Sequence, residues 1–300
     1  MTRLRIVLAA AVLIVAAPAA AALGIFACEP EWGALARELA GDRASIYVAT
    51  TALQDPHRIE ARPSLIARAR SADLIVCTGA DLEVGWLPLV LTQSGNARIQ
   101  VGQPGYFEAA RHLALIEVPA RLDRSLGDVH PAGNPHVHLD PRNIGKVAEA
   151  LSLRLAALDA ANAGYYRERS KQFLVRWQEA IARWEMQGAA LKDLPVVVYH
   201  RDLSYFINWL KLREAGALEP KPGIPPGAGH LGELLAQLKR QPAKAVVRAA
   251  YNDPRPAEWL SERAKIPVVT VAYTVGGTEQ ATDLFGLFDD TLARLLAVAR

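Results

Sequence analysis

The 300-residue chain has no C-x-x-C pair, no H-E-x-x-H helix, no G-x-S-x-G elbow and no Gly-rich phosphate loop. These absences argue in turn against a dithiol redox centre, a zincin-type protease, an α/β-hydrolase serine enzyme and phosphate-cradling nucleotide chemistry. Lysines and arginines are spread along the chain and leave a net charge of only +3. No basic cluster interleaved with aromatics is present, which excludes the usual footprint of a nucleic-acid partner. No repeat of solenoid length and no low-complexity tract occurs. What is present is 51% hydrophobic residues, sufficient for one large core or two smaller ones.

Past the amino terminus no apolar run is long enough to cross a bilayer. The first residues, MTRLRIVLAAAVLIVAAPAAAALG, place Arg3 and Arg5 before an apolar run from Ile6 to about Ala16, followed by small residues. This is the layout of a cleaved secretory signal peptide, residues 1–22, with cleavage near Ala20 or Ala22. A lipidated Cys28 fits less well, because bulky Phe26 stands where a small residue is usual. An exported protein meets an oxidising compartment, where Cys28 and Cys77 can pair. Each follows a strand-like run, LGIFAC and ADLIVC, and parallel neighbouring strands would bring both to one sheet edge; two buried free thiols are the alternative.

Apolar strand-like runs alternate with helical patterns. Residues 24–27, 44–50 and 73–79 read as strands, separated by amphipathic stretches at 30–41 and 61–72 and followed by one at 82–95 that is interrupted or reshaped at Pro88. This order predicts a parallel sheet covered on both faces. An amphipathic helix is expected from Asp140. A longer one follows at about Tyr165–Leu191, with Tyr166, Phe173, Trp177, Ile181 and Trp184 on one stripe. It would be about 40 Å long at 1.5 Å per residue, suited to joining two lobes. The alternation then restarts with strands at 194–200, within 243–250 and from Ile266, and helices at 202–212, 230–241, 254–265 and 281–299. The expectation is an α/β protein of two Rossmann-like lobes. The amino-terminal lobe spans 23–160, the connecting helix 161–193 and the carboxy-terminal lobe 194–300, with the ligand in the cleft beyond the strand ends.

Seven histidines occur, and three fall at loop edges facing that cleft: His57, His136 and His200. Neutral imidazole is a good zinc ligand, and three such groups from separate segments could clamp one ion. Asp55 or Glu60 could hold the far ring nitrogen of His57. The segment GNPHVHLDP is ambiguous. If extended, His136 and His138 face the same side and approach the H-x-H-x-D-H pattern of two-metal hydrolases. Pro141 stands where the last histidine is needed, which weakens a secreted zinc-dependent hydrolase as the alternative. A metal-independent exported binder is a third class.

The chain resembles the zinc/manganese solute-binding proteins of bacterial ABC importers, in which a rigid helix joins two lobes. The resemblance lies in DPHRIEARPS, ADLIVCTGADLE, NPHVHLDPRN and VVVYHRDLSYF, in that order, with the long helix between. It implies metal ligands at His57, His136 and His200, and no catalysis. It places His138 where the family usually carries tryptophan, as a wall rather than a ligand. The family's acidic fourth ligand falls near Val275, which cannot bind metal, leaving water, Glu60, Glu279 or Asp283. Three histidines with a weak or absent carboxylate favour Zn2+ over Mn2+. The histidine-rich loop of some zinc importers is missing; only His112 and His130 lie in residues 102–134, with His130 a secondary candidate. The resemblance further implies a monomeric periplasmic receptor serving an inner-membrane ABC permease. A periplasmic metallochaperone is a further partner open to such a receptor.

Overall fold

The computed structural model describes residues 22–121 and 127–299. The expected signal peptide, apart from Ala22, lies outside the described residues. Two four-stranded parallel sheets form the frame. The first contains β1 (Leu23–Ala27), β2 (Ala44–Val48), β3 (Leu74–Cys77) and β4 (Tyr106–Glu108), in the order β2-β1-β3-β4. The second contains β5 (Pro195–Val198), β6 (Arg213–Ala217), β7 (Ala245–Ala249) and β8 (Val268–Val271), in the order β6-β5-β7-β8. The central strands read as continuous apolar runs, LIVC and PVVV, because both faces are covered.

Helices α1 (Pro30–Ala40), α2 (Pro63–Ser71) and α3 (Leu87–Ser94) belong to the first sheet; α6 (Ser204–Leu210), α7 (Ala228–Arg240) and α8 (Pro254–Ala264) to the second. Between them run α4 (Pro141–Leu158) and α5 (Ala163–Gly188), and α9 (Leu284–Ala299) closes the chain. The 26 residues of α5 span about 39 Å. The helix packs on α4, α1 and α9, so it touches elements from both halves. Its aromatic stripe is buried as the spacing predicts: Phe173 stacks on Trp177 at 5.2 Å, and Trp184 lies 4.9 Å from Phe288 of α9. The indole N–H groups find acceptors, Trp177 at Pro141 O (2.7 Å) and Trp184 at Asp289 Oδ1 (2.6 Å). The largest apolar cluster joins β1 and β3 of the first sheet to β5, β7 and β8 of the second through this stripe. The lobes therefore share one core.

Two strands, β4 and β6, are not evident from periodicity. Both pair on one side only. β4 has three residues and β6 is REAGA, with a bulge opposite Val196/Val197, so neither carries the apolar pattern of a covered strand. Pro88 also differs from expectation: it occupies the first turn of α3, where its missing N–H costs nothing, so the helix starts there instead of being interrupted.

β1 and β3 are parallel neighbours, and Cys28 N–H donates to Val76 O at 2.8 Å just past their ends. That register places Cys28 and Cys77 side by side, and they form a disulfide across 49 residues. Cross-linking a loop of this length restricts the unfolded chain. The double variant Cys28→Ser/Cys77→Ser is expected to lose about 2–4 kcal/mol of unfolding free energy, read by urea denaturation. A midpoint equal to that of the parent chain would show that the bond does not stabilise the fold.

Candidate metal centre

His57 lies in a 3-10 turn, Pro56–Arg58, nine residues beyond β2. Asp55 builds that turn. Its Oδ1 accepts from His57 N–H at 3.0 Å and lies 2.9 Å from His57 Nδ1. Trp86 fixes the other side by donating to Pro56 O at 3.1 Å. Burial works to raise the Asp55 carboxyl, but its hydrogen bonds to His57 and the neighbouring histidine charges outweigh it, so the carboxylate lies below its ordinary range.

His136 follows Asn134-Pro135. Asn134 Oδ1 accepts from His136 N–H at 2.9 Å, while its amide donates to Arg201 O and Glu117 Oε2, both at 2.8 Å. One asparagine thus ties the His136 segment to the turn after His200. His200 itself lies two residues past β5, and its Nδ1 is 2.7 Å from Glu219 Oε2, just past β6. The edge strand β6 is therefore what delivers Glu219.

The three rings converge. Ring centroids are 5.3 Å apart for His57–His136, 5.8 Å for His57–His200 and 5.4 Å for His136–His200. One nitrogen from each ring lies within 4.8 Å of the others. The far nitrogens are occupied: His57 Nδ1 by Asp55, His200 Nδ1 by Glu219, and His136 Nδ1 by the Tyr273 hydroxyl at 2.7 Å. A histidine held this way presents its remaining nitrogen in a fixed direction, as metal-binding histidines do. Two clefts touching these histidines are about 120 and 180 Å3, and a third, beyond His200 and Glu219 and reaching His230, is about 470 Å3.

The electrostatics differ from ring to ring. Burial pushes His136 well below the ordinary imidazole range, and the surrounding histidines push the same way. Burial also acts to lower His200, but its bond to Glu219 and the charges of Asp202, Glu219 and Asp55 outweigh this and raise it. Asp202 is itself raised to about 6, first by burial.

The histidine doublet is not symmetrical. Residues Val137–Leu139 form a 3-10 turn, not an extended strand, so His138 does not share a face with His136. His138 is fully buried and edge-on to Trp32 and Tyr273. Its Nε2 donates to Tyr273 O at 2.8 Å, and Nδ1 lies 3.2 Å from Glu31 Oε1, off-line for a hydrogen bond. The other Glu31 oxygen accepts from the Thr274 hydroxyl. Glu31 on α1 and His138 together hold the strap after β8 that carries Tyr273. The spacing that hinted at a two-metal hydrolase is thereby removed.

The acidic candidates for a fourth ligand are not brought to the three rings. Glu60, Glu279 and Asp283 are exposed and stand outside the convergent set. Asp283 Oδ1 instead accepts from Gly286 N–H at 2.8 Å in the first turn of α9. Val275 is half-buried against the core. His112 is apart as well, stacked on Phe107. His130 lies beside His57, with the Nε2 atoms 3.2 Å apart. Tyr273 and Glu219 had no sequence signal: their contacts with His136 and His200 span 137 and 19 residues.

His138→Leu would remove the buried donor of the Tyr273 carbonyl. A loss of about 1–3 kcal/mol is expected, measured by urea unfolding of the metal-free protein. A change below about 0.5 kcal/mol, the scatter of neutral surface changes, would show that the strap is held by other contacts.

Comparison with known proteins gives the family. Residues 25–298 match the family model described as zinc-uptake complex component A, periplasmic. The manganese ABC transporter substrate-binding lipoprotein PsaA of Streptococcus pneumoniae is 22% identical over 246 residues, 80% of this chain and 76% of that protein. The high-affinity zinc uptake system protein ZnuA of Bacillus subtilis is 20% identical over 250 residues, 81% of this chain and 76% of that protein. A crystal structure of ZnuA superposes with a TM-score of 0.73 at 20% identity, covering 93% of this chain and 96% of that one. The chain belongs to the family of periplasmic zinc-uptake component A proteins, the metal-binding, non-enzymatic components of ABC importers.

Proposed function

We propose that the cargo is zinc, held by His57, His136 and His200, and that the chain is an exported periplasmic receptor that hands the ion to its permease after signal-peptide cleavage. The convergence of three imidazole nitrogens within 4.8 Å, each ring held from behind by an oxygen, carries this reading. Neutral imidazole suits Zn2+, whereas Mn2+ favours carboxylate and carbonyl oxygen. Among the described residues no carboxylate belongs to the convergent set, although a relative named for manganese is 22% identical to the chain and one named for zinc 20%. In this reading the two lobes are residues 23–160 and 194–300, with 161–193 as the connector. Because one apolar core runs through both lobes and α5 braces them, release proceeds through the loops bearing the histidines and not through a wide hinge.

Calorimetric zinc titration of the metal-free protein tests the assignment. His57→Ala, His136→Ala and His200→Ala are each expected to weaken binding by about a hundredfold or more, since each removes one of few coordinate bonds. His138→Ala should have a milder effect, acting only through Tyr273. Loss of binding in His138→Ala with retention in His136→Ala would reverse the roles given to the doublet.

The pH dependence has a definite sign. The ion takes only the neutral ring, so affinity is full above the pKa of each histidine and falls as pH drops through it. His200, whose pKa is raised, protonates first. The decline in zinc affinity should therefore begin at a higher pH than for a free imidazole, and steepen by about tenfold per pH unit for each further proton displaced. His136, pushed down, adds its proton only in more acidic solution. Zinc affinity that is flat from about pH 8 to pH 5, across the imidazole range, would exclude histidine ligation.

A further inference from the structure

We propose that His130 supplies a fourth imidazole to the bound ion, making the site all-nitrogen and setting its preference for zinc over manganese. The proposal rests on the three-histidine reading above. His57 and His130 face each other through their Nε2 atoms at 3.2 Å, with ring centroids 5.3 Å apart. The Nδ1 of His57 lies against the Asp55 carboxylate at 2.9 Å, and the Nδ1 of His130 against the Ala80 carbonyl at 3.1 Å. Both oxygens only accept, so in the neutral rings both hydrogens sit on Nδ1 and both Nε2 atoms are bare. Two lone pairs then face each other across 3.2 Å. A shared cation turns that repulsion into two bonds. Four nitrogens at 2.0–2.1 Å from a tetrahedral zinc stand about 3.3–3.4 Å from one another, which is the separation the two rings already have.

The backbone around His130 is built to hold it there. Ala80 has a φ of +51°, a left-handed conformation that costs a non-glycine residue energy, and its carbonyl meets His130 Nδ1. Asp128 N–H donates to Pro222 O at 2.8 Å, joining this segment to the carboxy-terminal half close to Glu219. Gly133 at φ +117° turns the chain towards His136, and a Cβ there would strike Ile116 O. His130 joins the convergent set through His57 rather than through all three rings, so coordination draws its side chain inward. Glu60, Glu279 and Asp283 are exposed and stand outside the convergent set. A fourth imidazole in place of an acid leaves only nitrogen donors, the set that favours Zn2+ and disfavours Mn2+.

Cobalt(II) titration followed by visible absorption tests this, with zinc and manganese competition in parallel. The wild type should show the intense bands of a tetrahedral nitrogen site. His130→Ala should weaken those bands and reduce zinc affinity by about tenfold or more, as loss of one of four coordinate bonds requires. His130→Asp should keep an ion bound but shift the zinc-to-manganese affinity ratio towards manganese by about tenfold or more. His130→Gln, which keeps a donor for Ala80 O but no imidazole, should behave as His130→Ala; circular dichroism establishes that each variant folds. A cobalt spectrum and zinc affinity unchanged in His130→Ala, while His57→Ala abolishes both, overturn this proposal alone. A wild type that takes up no ion overturns the three-histidine reading and this proposal with it.

Discussion

The site depends on one kind of hydrogen bond: an oxygen of the protein against the rear nitrogen of each imidazole. Asp55, Glu219 and Tyr273 serve His57, His200 and His136 in this way. An isolated histidine side chain has free rotamers and two tautomers, and three of them would converge only at an entropic cost of about 1 kcal/mol or so each. The rear bonds remove that freedom before any ion arrives. Two of the three oxygens are carboxylates, which fix the hydrogen on Nδ1 and leave Nε2 as the donor atom.

Those oxygens are in place because of the fold. Asp55 is held by its own turn and by Trp86 against Pro56. Glu219 follows β6, whose pairing with β5 also sets His200. Tyr273 is reached from the amino-terminal half, through Glu31 and His138. The last connection crosses between halves at the same level as the shared apolar core.

The central strands, the long helix and the three histidines were legible because each has a local signal. Buried parallel strands are continuous apolar runs, α5 carries an aromatic stripe, and the histidines follow strand ends or proline turns. The edge strands β4 and β6 were not, because an edge strand needs no apolar face and REAGA has none. The doublet at His136 and His138 could not be resolved by counting residues, since a 3-10 turn and an extended strand predict opposite faces for the same letters. Partners such as Tyr273, 137 residues from His136, leave no trace in local sequence.

The distribution of charge follows the same logic. Imidazole nitrogens face the centre, while carboxylates stand one bond behind: Asp55 behind His57, Glu219 behind His200, and Asp202 close enough to raise His200. Negative charge at this remove attracts a divalent cation and strengthens the imidazole donors, yet offers no hard oxygen for direct coordination. A carboxylate placed directly at the centre would instead favour harder metals. Separating the carboxylates from the convergent nitrogens by one imidazole ring leaves nitrogen as the inner layer and negative charge behind it.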